Sequence, residues 1–370
     1  MQYREYGRTG KKISAIAFGG MRFLPDGGKF DFDKCAAVVR KASGLGVNYF
    51  DTSPYYCGSQ SEVIFGQAFK DMPKPFYVST KSYESDPAKL RADLETSLKR
   101  MGLQKINFYN IWGIKSMEGY RNVMRKGGPY EEILKAKKEG LVEHVAFSTH
   151  CSGEEIAQIA KDGVFEGVTL GYNILNFPFR EKGVRAAHAA GMGVMIMNPL
   201  SGGILPKKAE LFDYIRNPDD KTVTEAALRF LLAHKEITGA LCGMGSVEEV
   251  VENVKAGDIV KDFPESKRDE IKARLSLDMD KLCTGCQYCD GCPAGIEVAR
   301  NMLAYNYTIL ERRERYFDVM RMHWGLPADQ ADKCTECGQC EKKCTQRLDI
   351  IQRLKNISKW GKERQPTKGA

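Results

Sequence analysis

Short apolar runs alternate with amphipathic stretches from residue 13 to about residue 256. The runs lie at 13–18, 47–50, 76–79, 106–111, 144–147, 168–172, 194–197 and 239–242, and their length and apolar content predict strands. Between them, apolar residues recur at helical spacing in segments such as 33–45, 88–101, 130–139, 154–161, 224–234 and 247–256. Strands that alternate with helices pair in parallel through right-handed crossovers. Eight such units in roughly 250 residues predict an α/β fold, a (β/α)8 TIM barrel over 1–257. The rival is an open doubly wound sheet, which announces itself by G-x-G-x-x-G after the first strand. That motif is absent, and Gly44-Leu-Gly46 and Gly191-Met-Gly193 read as helix C-caps.

Beyond the barrel the pattern changes. Residues 258–282 are charged and read as a helix and linker. Eight of the chain's twelve cysteines then fall in two short runs, Cys283-Thr-Gly-Cys286-Gln-Tyr-Cys289-Asp-Gly-Cys292 and Cys334-Thr-Glu-Cys337-Gly-Gln-Cys340-Glu-Lys-Lys-Cys344. Three thiolates at triplet spacing wrap one face of an iron–sulfur cube, and the fourth cysteine of such a run ligates the other cube in two-cluster ferredoxins. The spacing therefore assigns Cys283, Cys286, Cys289 and Cys344 to one [4Fe–4S] cluster. Cys334, Cys337, Cys340 and Cys292 take the second. Structural zinc favours two separated Cys-x2-Cys pairs, and disulfides imply export, for which the N-terminus shows no signal. Residues 283–352 are thus expected to form a small α-helical ferredoxin-like domain around a helical insertion at 296–322, stabilised by its metal centres.

Composition adds less. The 370 residues carry a formal charge of +8, and no stretch approaches the ~20 apolar residues of a membrane span. Much of the positive charge lies in a basic tail, 353–370, where Arg353, Lys355, Lys359, Lys362, Arg364 and Lys368 face only Glu363. The tail is expected to be structureless after Asn356. An electrostatic handle for an acidic redox partner is the alternative, with nucleic acid a distant third. Cys35, Cys57, Cys151 and Cys242 show no pairing pattern and read as reduced thiols of a cytoplasmic protein.

Active sites of these barrels gather at the C-terminal ends of the strands. There the chain places Asp51, Tyr55 and Tyr56 after the second strand, Lys81 after the third, Trp112 after the fourth, and Ser148, Thr149 and His150 after the fifth. Tyr172 and Asn173 follow the sixth, Pro199, Leu200, Gly202 and Gly203 the seventh, and Gly243, Gly245 and Ser246 the eighth. An ammonium beside a phenol favours phenolate, so Lys81 is expected to lower the pKa of Tyr56 into the working range of a general acid, with Asp51 fixing the lysine. The eighth-strand turn opens a helix and is a phosphate-site candidate, or a simple tight turn with Ser246 as N-cap.

These segments resemble the aldo/keto reductases, in particular the bacterial branch with a C-terminal two-cluster ferredoxin domain. The resemblance is carried by Ala17-Phe-Gly-Gly-Met-Arg22, Asn48-Tyr-Phe-Asp-Thr-Ser53, Gly58-Ser-Gln-Ser-Glu62, Ser79-Thr-Lys81, Val145-Ala-Phe-Ser148, Pro199-Leu-Ser-Gly-Gly203, Gly243-Met-Gly-Ser246 and Glu252-Asn253. It implies carbonyl reduction with NADP or NAD, and a catalytic tetrad whose first three members match Asp51, Tyr56 and Lys81. A cofactor site follows from Ser148, Tyr172, Asn173, Pro199, Leu200, Gly202, Gly243, Gly245, Ser246 and Asn253. The tetrad's histidine is missing: Trp112 stands in its place, and His150 is the candidate substitute. Met197, Thr149 and Thr169 replace usual nicotinamide contacts, and the eighth-strand turn lacks the cation that grips an NADP 2′-phosphate. The expected function is an iron–sulfur oxidoreductase acting on a small-molecule carbonyl or alcohol. Its electrons would come from nicotinamide, from the clusters, or both, with a ferredoxin- or flavodoxin-like partner. The alternative is an electron-transfer module whose barrel is a docking scaffold.

Overall fold

The computed structural model describes residues 1–73, 75–258, 262–275, 281–283, 285–310, 313–315, 317–318, 321 and 326–363. The chain divides into two compact units, one of residues 1–200 with 212–267, the other of 201–211 with 268–370.

The first unit is a closed eight-stranded parallel barrel in the order β10-β3-β4-β5-β6-β7-β8-β9. Its strands are β3 (Ile16–Gly19), β4 (Tyr49–Asp51), β5 (Tyr77–Ser82), β6 (Ile106–Ile114), β7 (Val142–Thr149), β8 (Gly167–Gly171), β9 (Gly193–Met197) and β10 (Gly239–Gly243). The first apolar run does not form one strand. It breaks at Ala15 into β2 (Lys12–Ser14), which pairs antiparallel with β1 (Tyr3–Glu5), and the barrel strand β3. The hairpin carries Tyr6 into the barrel, where its ring lies 4.1 Å from that of Phe108 and stacks on Tyr49 at 6.1 Å. Glycine is needed around this plug: a Cβ on Gly167 would come within 2.0 Å of the Tyr6 hydroxyl, and one on Gly193 within 2.2 Å of its ring.

Above the apolar floor the interior turns polar, because alternate residues of a strand share one face. Thr169 Oγ1 donates to Asn110 Oδ1 at 3.2 Å, Asn110 Nδ2 to Ser79 Oγ at 2.9 Å, and Ser79 Oγ to Asp51 Oδ2 at 2.9 Å. This chain crosses the barrel from β8 to β4 and satisfies groups that would otherwise be costly to bury.

The second unit has a tandem plan. Each cysteine run is followed by a helix, Val298–Leu310 after the first and Ile350–Glu363 after the second. Val298 lies six residues beyond Cys292, and Ile350 six beyond Cys344. The expectation of a structureless chain after Asn356 is therefore corrected up to Glu363. Ile357 and Trp360 are buried on one face of the second helix, and Trp360 stacks on Tyr305 at 5.4 Å. Periodic apolar positions inside a basic segment were the signal, masked by its charge. Arg364 and Lys368 lie outside the described residues.

Candidate functional site

Asp51 closes β4 and Lys81 lies near the end of β5, so parallel pairing brings the two strand ends side by side. Lys81 Nζ donates to Asp51 Oδ1 at 2.5 Å and to the Thr52 carbonyl at 2.8 Å, and both side chains are buried. Tyr56 arrives from the loop after β4. Three successive left-handed residues, Cys57, Gly58 and Ser59, turn the chain back into the helix Ser61–Phe69 and fix the tyrosine's approach. The Lys81 ammonium lies over the Tyr56 ring, 4.8 Å from its centroid.

That geometry changes the expected electrostatics. The cation meets the face of the ring as a cation–π partner. Burial, with Asp51 adding to it and Arg22 opposing, holds the Tyr56 phenol well above its ordinary pKa. The expected lowering by Lys81 does not occur. Tyr56 is a protonated donor held beside a buried ion pair.

Trp112 is brought to the same place. The β6–β7 register shifts between Ile111 and Ile114, and Gly113 takes φ 79°, so a bulge aims the indole at the mouth. It meets the Tyr56 ring edge-on at 5.8 Å and lies 5.4 Å from Tyr83. Tyr55 stacks on Tyr83 at 4.3 Å. The rings of Tyr55, Tyr83 and Trp112 form an aromatic wall next to the Tyr56–Lys81 pair.

His150 follows β7. It is buried at the end of β7, where the site of a Gly171 Cβ would lie 3.4 Å from its Nδ1. Burial, with Arg180 and Lys115, lowers its pKa well below the ordinary value, so it is neutral near pH 7. Tyr172 is also corrected. It faces away from the interior, fully buried against Phe230 and within 3.4 Å of His234 Nε2. Asn173 holds the loop, donating to the Asn198 carbonyl at 3.0 Å and accepting from the Leu175 amide.

The buried Ser148 Oγ has no hydrogen-bond partner among the described residues, leaving one hydroxyl open to a ligand. Pro199 is buried and Leu200 half-buried after the left-handed Asn198, while Gly202 belongs to the second unit. At the last turn Ser246 caps the helix Val247–Ala256, and the Glu249 carboxylate accepts from the Gly245 amide at 2.7 Å. This is the tight-turn arrangement. A phosphate at Gly245 would have to displace a carboxylate. Asn253 is buried on that helix.

Two residues escaped sequence reasoning. Arg22 lies across the turn, its Cγ 2.4 Å from where a Gly243 Cβ would sit, and it has no hydrogen bond or ion pair with a described residue. Its charge reaches Tyr56 and Cys57. Arg180 is fully buried and donates to the carbonyls of His150, Cys151 and Gly171, tying the ends of β7 and β8 together. An arginine inside an apolar helical stretch was the available signal.

In the second unit the two cysteine runs share one backbone pattern. Gly285 and Gln287 are left-handed in the first run, and Glu336 and Gly338 take the same places in the second. Gly295 and Arg347, each three residues after the fourth cysteine, are left-handed too. Cys283 is pushed up to about 12 by burial, with Cys286 and Cys344 adding to it, and Cys289 is raised by burial and the same neighbours. Cys289, Cys292, Cys334, Cys337 and Cys340 line one small shared cavity. Among the described residues no three metal-ligating side chains converge on a single-ion site. Two runs of four cysteines with one repeated backbone pattern fit two multinuclear clusters better than one zinc ion.

The comparisons agree with this architecture. Residues 15–274 match the model of the aldo/keto reductase family, and residues 282–349 match a 4Fe-4S dicluster domain. The chain belongs to the aldo/keto reductase family and is an oxidoreductase of that type with a dicluster domain. L-galactose dehydrogenase of Arabidopsis thaliana is 28% identical over 292 residues, 69% of this chain and 88% of that protein. A putative voltage-gated potassium channel subunit beta of Schizosaccharomyces pombe is 25% identical, covering 73% and 92%. An aldo-keto reductase of Bacillus halodurans, in its holo form, shares the fold at a TM-score of 0.63 and 20% identity, covering 74% of this chain and 96% of its own.

Proposed function

We propose that the barrel interconverts a small carbonyl compound and its alcohol, with Tyr56 delivering the proton. The observation that carries this reading is the protonated Tyr56 phenol held over the buried Lys81–Asp51 pair. A bound nicotinamide would supply the hydride. The chain's residues do the rest: Tyr56 Oη gives its proton to the carbonyl oxygen, Lys81 stabilises the negative charge left on the phenol, and Asp51 holds Lys81 in place. Ser148 offers its free hydroxyl to the cofactor. The wall of Tyr55, Tyr83 and Trp112 favours a planar substrate, and the unpaired Arg22 favours an anionic group on the substrate or cofactor.

Cys283, Cys286, Cys289 and Cys344 would hold one [4Fe–4S] cluster, and Cys292, Cys334, Cys337 and Cys340 the other. Bound clusters would supply one-electron transfer, two centres together matching the electron pair of a hydride and linking the protein to a ferredoxin- or flavodoxin-like carrier. The test is turnover of small aromatic aldehydes with NADH in the anaerobic holoprotein. Tyr56→Phe should reduce turnover at least ~100-fold with NADH affinity unchanged. Unchanged turnover would refute the assignment.

A second reading, a barrel that serves as a docking scaffold, draws on the relative named as a channel subunit and on Trp112 in the histidine's place. It is favoured if the holoprotein binds no nicotinamide while its clusters reduce reversibly.

A further inference from the structure

The tandem plan of the second unit exposes one charge that breaks its symmetry. Nine residues beyond Cys292, the first helix carries Asn301; nine residues beyond Cys344, the second helix carries Arg353. Both side chains are buried. Asn301 is neutral and spends its amide on the Glu297 carbonyl and on Gln330 Oε1. Arg353 is a cation. Its Nη2 donates to the Lys281 carbonyl at 2.7 Å, its guanidinium lies 4.9 Å from the Tyr305 ring centroid, and its Nη1 is buried with no hydrogen-bond partner among the described residues. Lys281 stands two residues before Cys283, and Cys283 and Cys344 are the thiols whose charge acts on Arg353. A buried guanidinium with an unused donor is expensive unless negative charge compensates it. The Asp349 carboxylate also acts on it through its charge, but no described carboxylate forms an ion pair with it.

We propose that Arg353 sets the reduction potential of the cluster held by Cys283, Cys286, Cys289 and Cys344, raising it above that of the other cluster. This rests on the cluster assignment made above. Reduction adds one electron and makes the cluster with its four thiolates more negative, so a buried cation favours the reduced form. The Thr345 hydroxyl, 3.3 Å from Cys286 Sγ, works in the same direction as a hydrogen bond to a ligand sulfur. The other cluster has neutral Asn301 in place of the cation, and its ligand Cys337 is exposed to solvent. An electron from a one-electron carrier therefore enters at the exposed cluster and settles on the buried one. Arg353 lies beyond the matched dicluster segment, which ends at residue 349.

The test is an anaerobic dithionite titration of the full-length holoprotein, followed by electron paramagnetic resonance. Wild type should show two one-electron waves. In Arg353→Gln, which can still donate to the Lys281 carbonyl, the higher-potential wave should move down by at least tenfold in its equilibrium constant, 59 mV for one electron, while the other stays. Arg353→Lys should keep most of the wild-type potential. Lys355→Gln, at an exposed lysine paired with Glu336, controls for charge removed at the surface and should move neither wave. Unmoved waves in Arg353→Gln, or equal movement of both, would overturn the proposal. So would loss of iron from Arg353→Gln, which would make the guanidinium a structural tether. A wild-type protein without iron would instead refute the cluster assignment itself.

Discussion

Tyr56 illustrates how a side chain's surroundings decide what its neighbours can do to it. The sequence places Lys81 near it and suggests a lowered phenol pKa. The cation lies over the ring instead, and burial raises the pKa. A phenol with a raised pKa keeps its proton below that value, so carbonyl reduction should stay level through about pH 10, the ordinary phenol range. Alcohol oxidation, which needs phenolate, should still be rising there. A pH–rate profile of the holoprotein checks this, and a fall in reduction centred well below pH 10 would contradict it. Glu249 makes a second prediction at this scale. Its carboxylate on the Gly245 amide repels a 2′-phosphate, so NADH should bind at least several-fold more tightly than NADPH. Glu249→Gln should narrow that gap when both are titrated by protein fluorescence. Asp51 and Lys81 were legible because each stands at the end of one of two neighbouring strands. Arg22 and Tyr172 were not, since loop path and side-chain direction decide whether a residue at a strand end faces the mouth.

Elements explain the next set of results. The eight barrel strands were legible from apolar runs, yet the first run concealed a break: Ala15 separates a hairpin strand from a barrel strand with no change in polarity. The bulge in β6 was equally silent, although it is what aims Trp112. Arg180 ties two strand ends by donating to three carbonyls, and Arg180→Met leaves those acceptors buried and unpaired. At ~1–3 kcal/mol for each such group, the barrel should lose at least about 3 kcal/mol, read as a lower urea midpoint at unchanged slope. The helix Ile350–Glu363 was hidden by its lysines, but its apolar face carries Ile357 and Trp360 into the core of the second unit. Trp360→Ala should destabilise that core by about 3–5 kcal/mol and release iron on mild warming. Iron retention equal to wild type would mean that the helix is dispensable.

The whole molecule combines an aldo/keto reductase barrel with a 4Fe-4S dicluster domain on one chain. Fold class and a two-cluster domain could be read from periodicity and spacing, because both are set by short-range geometry. The mouth could be read only in part, because its character depends on burial and on which way each loop returns. The central proposal is that the eight thiols hold two four-iron centres, a reading supported by the matched 4Fe-4S dicluster domain and by the shared backbone of the two runs. The most direct test is iron, acid-labile sulfide and zinc analysis of the anaerobically purified full-length protein. Two [4Fe–4S] centres predict about eight iron and eight sulfide per chain. Stoichiometric zinc without sulfide would contradict the account.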